Sequence, residues 1–243
     1  MGLAPPQPGA GYCAPHWCGT DCCNGCAASA YNATPILFLH TPKTGGSSVE
    51  CAATPLRERG LWIDMGHVKS VDDVNACASK CTFDGRRPKV AVSVRDPYSY
   101  YASLYIMAYA GRAVLHTRLD FPTFMETYVA RQPPLSLLPR GGDKAYRHSL
   151  TLTLAAACGW PCRYDYLLRT ESLAADWAAL LRGARMPLAP PLPRVNEALH
   201  KRGVPPTIAF TPRVLEIVAS VDAGMFDAFG YARRTAPFNY SHP

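Results

Sequence analysis

The 243-residue chain has no run of about 18 uncharged apolar residues, which excludes a membrane-spanning helix within it. Met1 to Gln7 has no basic stretch leading into an apolar one, so it does not read as a signal peptide. Pro6 stands where an N-myristoylation signal needs Ser or Thr. There is no internal repeat and no block of Lys and Arg. The charge, 25 basic against 18 acidic residues, is a diffuse +7. That is a mild preference for anionic partners, without choosing among phosphates, sulfates, acidic glycans, nucleic acid and membrane surfaces. Charged residues are few, 18% against 48% hydrophobic, so the chain can bury a core and is not a disordered tail.

Cysteine is plentiful instead. Ten in 243 residues favour an oxidising compartment, because a cytosolic chain carries so many thiols mainly for metal. Cys13, Cys18, Cys22, Cys23 and Cys26 crowd into residues 1–30, a Pro-, Gly- and Ala-rich leader distinct from a single domain over 31–243. This leader reads as a zinc knuckle using His16, a small disulfide knot, or a loosely ordered segment. Only Cys23-x2-Cys26 has zinc-ligand spacing. Asn32-Ala33-Thr34 and Asn239-Tyr240-Ser241 are N-glycosylation triplets compatible with secretion.

From Pro35 the pattern is α/β. Ile36-Leu37-Phe38-Leu39 predicts a strand buried on both faces, followed by a Pro/Gly loop over 41–46 and a helix from Ser47 to Arg59. Val90 to Val94 predicts a second buried strand. Asp96-Pro97 supplies a cap and a first-turn proline for a helix to about Tyr109. Residues 111–145 read as an irregular insertion with short helices, and Tyr146 to Ala157 as a helix. A third strand is expected over Tyr164–Leu168, a helix over Glu171–Leu181, a Pro-rich linker at 187–193, and a last helix from Thr211-Pro212 to about Phe229. The alternation implies a three-layer α/β domain: a central, mostly parallel sheet flanked by helices.

The chemistry concentrates at two strand ends. Thr41-Pro42-Lys43-Thr44-Gly45-Gly46-Ser47-Ser48 joins a buried strand to a helix, where free backbone N–H groups and the helix end attract anions. Gly45 and Gly46 permit close backbone approach; Lys43, Thr44, Ser47 and Ser48 add a charge and hydroxyls. The order Gly-x4-Gly-Lys-Ser/Thr is absent, so this is not a Walker A loop. An ordinary turn that happens to hold Gly and Ser is the alternative. Val94-Arg95-Asp96-Pro97 ends the second strand, at the sheet end where parallel sheets bind ligands. Ser99 and Ser103 follow on one helix face, and Arg95 with a hydroxyl suits a second phosphate. A surface ion pair for Arg95 and helix packing for Ser103 are the plainer readings.

Together these segments resemble the PAPS-dependent sulfotransferases (PAPS is 3′-phosphoadenosine 5′-phosphosulfate). Thr41 to Ser48 is similar to their 5′-phosphosulfate loop, and Arg95-Asp96-Pro97 with Ser103 and Tyr105 to their 3′-phosphate motif. Golgi carbohydrate enzymes of the heparan sulfate 2-O and 6-O type are the nearest likeness. Tyr164 to Leu173 and Phe226-Asp227-Ala228-Phe229-Gly230-Tyr231 resemble later parts of such domains, so the likeness runs over about 35–232. Two positions depart: Tyr100 stands where many members have an Arg, and Met65 where the 2-O type has a second His. Cys158-x3-Cys162, ahead of the third strand, resembles chondroitin-type sulfotransferases, which implies a local disulfide. Cys77-x3-Cys81 admits the same, with separate buried thiols as the alternative for each pair.

The resemblance makes the α/β domain P-loop-like and implies in-line transfer of a sulfuryl group from PAPS to an acceptor hydroxyl, expected on a carbohydrate and, given the charge, an acidic glycan. No metal or nucleic acid enters. His67 is the implied base, its imidazole suited to proton abstraction near neutral pH. Lys43 would stabilise charge on the leaving phosphate, and Lys43, Thr44, Gly45, Gly46, Ser47, Ser48, Arg95 and Ser103 would bind PAPS. His40, ending the first strand, reads as a packing or loop-orienting group. Arg112, Arg118, Arg131, Arg140, Lys144 and Arg147 could meet an acidic glycan or be scattered surface charge. The resemblance places the protein in the Golgi lumen, with any membrane anchor outside these residues. The rivals are a nucleotide kinase and a non-catalytic PAP- or glycan-binding domain (PAP is adenosine 3′,5′-bisphosphate).

Overall fold

The computed structural model describes residues 33–67 (66 and 67 by backbone alone), 71–82, 87–109, 118–131, 149–186, 190–193 and 207–241. The leader at 1–30, Asn32, Arg112, Arg140, Lys144 and Arg147 lie outside the described residues.

Strands β1 (Ile36–His40), β2 (Trp62–His67), β3 (Lys89–Val94) and β4 (Tyr166–Arg169) form one parallel sheet in the order β2-β1-β3-β4. Every residue of β1 is buried, as its unbroken apolar run predicts. Alternation then divides its side chains between two apolar clusters. Ile36 and Phe38 pack with α1 (Gly46–Ala52), α2 (Thr54–Arg57) and α7 (Leu173–Gly183) through Val49, Leu56, Trp177 and Leu180. Leu37 and Leu39 join the cluster of α3 (Val71–Lys80), α4 (Pro97–Tyr109), α6 (Leu150–Cys158), α8 (Pro212–Val221) and α9 (Ala223–Phe229). Helices therefore flank a central parallel sheet.

The boundaries differ from expectation where a local group overrides periodicity. The first helix is two: Pro55, which has no N–H to donate, sits in the first turn of a fresh helix α2. Strand β2 was not anticipated, because Asp64 and Gly66 interrupt its apolar pattern. The last strand starts two residues late, since Asp165 closes the ladder itself: its N–H donates to the Val90 carbonyl and its carboxylate accepts from Val90 N (both 2.8 Å). Glu171 falls in a single 3₁₀ turn, Thr170–Ser172, ahead of α7. Ser149 caps α6, accepting from Leu152 N at 2.9 Å, which sets that helix start. The final helix breaks at Asp222, a buried carboxylate that accepts from Thr151 N (2.7 Å) and Tyr101 OH (2.8 Å). The insertion carries α5 (Phe121–Phe124), which runs into a π-helical turn over Met125–Val129.

An antiparallel pair, β5 (Thr207–Phe210) and β6 (Phe238–Ser241), was also unforeseen; it lies against α4 through Phe210 and Phe238, both edge-on to Tyr98. Cys158 and Cys162 form a disulfide, with Cα atoms 5.1 Å apart. Cys51, Cys77 and Cys81 are disulfide-bonded as well. Among the described residues no helix is long and apolar enough to cross a membrane.

Candidate functional site

The chain leaves β1 for α1 on one face of the sheet and leaves β3 for α4 on the other. Their carboxyl ends thus flank the point where successive connections diverge, the position at which open parallel sheets form a ligand crevice. Lys43, Thr44, Gly45, Gly46, Ser47, Ser48 and Arg95 all meet there.

The loop after β1 is tightly specified. Gly45 adopts φ 79°, and a side chain there would press on Leu173 of α7. Gly46 faces the His40 ring: a Cβ would lie 1.9 Å from His40 Cδ2. Lys43 takes φ 62°, unusual for a residue with a side chain. Burial, aided by the nearby Arg95 guanidinium, lowers the Lys43 ammonium to about 8, so most of it stays charged at neutral pH. The Thr44 hydroxyl points inward, donating to the Thr41 carbonyl at 2.6 Å. Ser93 Oγ of β3 accepts from Thr41 N (3.2 Å) and, with the Thr44 proton already engaged, donates to Thr44 Oγ1 (2.6 Å). Thr44 therefore ties the loop to β3, and any contact it makes with an anion comes through its backbone. Ser47 and Ser48 lie half-buried in the first turn of α1.

The corner after β3 reaches across to this loop. Arg95 donates from Nη1 to the Lys43 carbonyl (3.1 Å), from Nε to Ser99 Oγ (3.0 Å) and from Nη2 to Tyr240 OH of β6 (3.4 Å). Asp96 caps α4, accepting from Ser99 N at 2.9 Å, as its sequence predicts. Glu171 braces the corner by accepting from Asp96 N (2.8 Å) and Tyr231 OH (3.2 Å). Ser103 sits one turn beyond Ser99 on the same face, half-buried. Tyr100 is fully buried and edge-on to Tyr101. An arginine there would bury its charge in the core rather than face the crevice.

Beneath the loop runs a row of buried ionisable groups. His40 Nδ1 is 2.5 Å from Glu50 Oε1 of α1. Glu50 is hydrogen-bonded to Asp64 of β2, whose Oδ2 is 4.0 Å from Arg57 Nη1 of α2. Burial lowers His40 to about 4, with the Asp64 carboxylate opposing and Lys43 assisting. Burial also raises Glu50 to about 7, against the hydrogen bond with Asp64 and the attraction of Arg57. His67 ends β2 as the strand partner of His40, so both histidine backbones stand at the crevice end of the sheet. Among the described residues no group of three or more His, Cys, Asp or Glu is placed to hold a metal ion.

A cleft of about 600 Å³ opens beside the loop. Gly45 and Ser48 form one wall, residues 170–175 at the entry to α7 another, and Leu192 with Pro193 a third. It joins polar groups near the loop to an apolar flank. Glu50, Asp64, Arg57, Tyr240 and the bracing Glu171 were not foreseen as parts of this region. One signal existed: Glu50 follows Gly46 by four residues, which turns its side chain back toward the strand end. The partnership of Tyr240 with Arg95, 145 residues apart, left no local trace. No protein-family model, curated protein or solved structure matches the chain.

Proposed function

We propose that the protein is a PAPS-dependent sulfotransferase that sulfates a hydroxyl, best fitted by that of an acidic glycan, on a P-loop-like α/β domain. The observation that carries this reading is the union of the two strand-end motifs through the Arg95–Lys43 hydrogen bond, beside the 600 Å³ cleft. The Lys43 loop suits a 5′-phosphosulfate, Arg95 with Ser99 and Ser103 a 3′-phosphate, and the cleft a purine, whose flat apolar faces match Leu173 and Leu192.

In the reaction the acceptor oxygen attacks the PAPS sulfur in line, while the bond from sulfur to the bridging phosphate oxygen breaks. PAP leaves with that electron pair. His67, at the end of β2, takes the hydroxyl proton. Lys43, held near the leaving oxygen and mostly charged at pH 7, stabilises the negative charge that develops there. Arg95, Lys43 and the loop N–H groups supply the positive field. The disulfide bonds favour an oxidising compartment, and Asn239 is exposed on β6 for glycosylation, in keeping with a Golgi-lumen enzyme.

The test is a thermal-shift titration with PAP, and separately with ATP plus Mg²⁺, on wild type and Arg95→Ala. A ligand at 100 times its Kd stabilises by about 2.7 kcal/mol. The expected result is stabilisation of wild type by PAP without metal, weakened in the variant. Stabilisation by ATP–Mg²⁺ with no response to PAP would replace this reading with a nucleotide kinase.

A further inference from the structure

His40, Glu50 and Asp64, all buried, and the half-buried Arg57 make a continuous connection from the floor of the anion loop to α2, by way of α1 and β2. His40 and Asp64 are about 5% and 4% exposed, and Glu50 8%, so solvent does little to screen them. The ring edge carrying Cδ2 and Nε2 lies against Gly46, where even a methyl group has no room. The opposite ring nitrogen is held by Glu50. Movement of Glu50 therefore reaches the loop through His40 as well as along α1, which Gly46 opens.

We propose that His40 is the positioning residue of the anion loop, and that the proton it shares with Glu50 sets the charge directly beneath the bound group. This deepens the sulfotransferase reading and rests on it. With that proton present, His40 and Glu50 are both neutral. With the proton lost, Glu50 becomes a buried anion next to a site that must hold phosphate and sulfate oxygens. Because Glu50 titrates at about 7 and His40 not until about 4, the change falls on Glu50 near neutral pH. The charged and titratable groups facing the pair are Lys43 from the loop, Arg57 from α2 and Asp64 from β2. Lys43, lowered to about 8, loses its charge over an adjoining range, and a variant that removes only the Glu50 charge separates the two effects.

The experiment is calorimetric titration of the full chain with PAP from pH 5.5 to 9, on wild type, Glu50→Gln, His40→Ala and His40→Asn. Wild-type affinity is expected to fall about tenfold between pH 6 and 8, as Glu50 gains its charge and Lys43 begins to lose its own. Glu50→Gln keeps the shape and removes the charge. It should match wild type at pH 6, bind PAP more tightly than wild type at pH 8, and retain only the decline that follows Lys43. His40→Ala should bind weakly at every pH, and His40→Asn, whose amide reaches the Nδ1 position, should recover most of the loss. A merely structural Glu50 would make Glu50→Gln weaker at all pH values with an unchanged slope. That result, or wild-type affinity in His40→Ala, overturns the proposal while PAP still binds. Absence of PAP binding to wild type at every pH is a different failure: it removes the sulfotransferase reading and this inference with it.

Discussion

The corner after β1 and the corner after β3 stand side by side at one end of the sheet, yet they are held in opposite ways. The first rests on buried matter: two glycines without room for a side chain, and beneath them His40, Glu50 and Asp64, closed off from water. The second is held at the surface by separate hydrogen bonds: the Asp96 cap, the three contacts of Arg95 and the brace from Glu171. The difference teaches where each corner is vulnerable. Crowding and pH act on the first, because nothing there can relax or be screened. Loss of one partner acts on the second only locally, because water replaces the missing contact.

The largest expected effect is at Gly46. Gly46→Ala drives a methyl group into the His40 ring and should destabilise the fold by about 3 kcal/mol in urea unfolding. Near-native stability would show that the first corner is looser than its packing implies. Arg95→Ala should instead leave the unfolding midpoint nearly unchanged while weakening PAP about 10- to 100-fold, as expected for lost hydrogen bonds to a charged group. A large loss of stability in that variant would erase the contrast.

The pH dependence of stability sharpens it further. Glu50 is raised from an ordinary 4.5 to about 7, so its contribution is complete below 4.5 and disappears as pH rises to 7. His40 is lowered from 6.5 to about 4, so its contribution is complete above 6.5 and disappears as pH falls to 4. The two slopes oppose each other between about 4.5 and 6.5. Lys43, lowered from 10.5 to about 8, contributes fully above 10.5 and less as pH falls through 8. The melting temperature of wild type should therefore sag near pH 7 to 8. In Glu50→Gln the acid side of that sag should become a plain rise with pH, and scanning calorimetry across pH 4 to 9 reads the difference. By comparison, Asp96→Ala removes one half-buried cap and should cost about 1 kcal/mol with no new pH dependence. Tyr240→Phe, losing a single long contact to Arg95, should weaken PAP only about threefold.

What was legible in the chain follows the same division. Strand β1, its loop, β3 and the capped start of α4 could be read directly, because each is specified by neighbours in sequence: an unbroken apolar run, paired glycines, Asp followed by Pro. Strand β2 could not, since Asp64 makes sense inside the sheet only next to Glu50 and Arg57. The break at Asp222 needed Thr151 and Tyr101, and β6 needed β5. Tyr100, a departure from the expected arginine when read along the chain, is a core residue in the fold.

Local sequence by itself determined the alternation of strands and helices, the paired-glycine loop after β1 and the arginine at the end of β3, because backbone sterics and capping act over a few residues. The tertiary structure decided which strands are neighbours, which carboxylates lie buried together, and which distant tyrosine meets Arg95. Those outcomes depend on burial and on charge–charge distance, and both exist only once separate segments have packed.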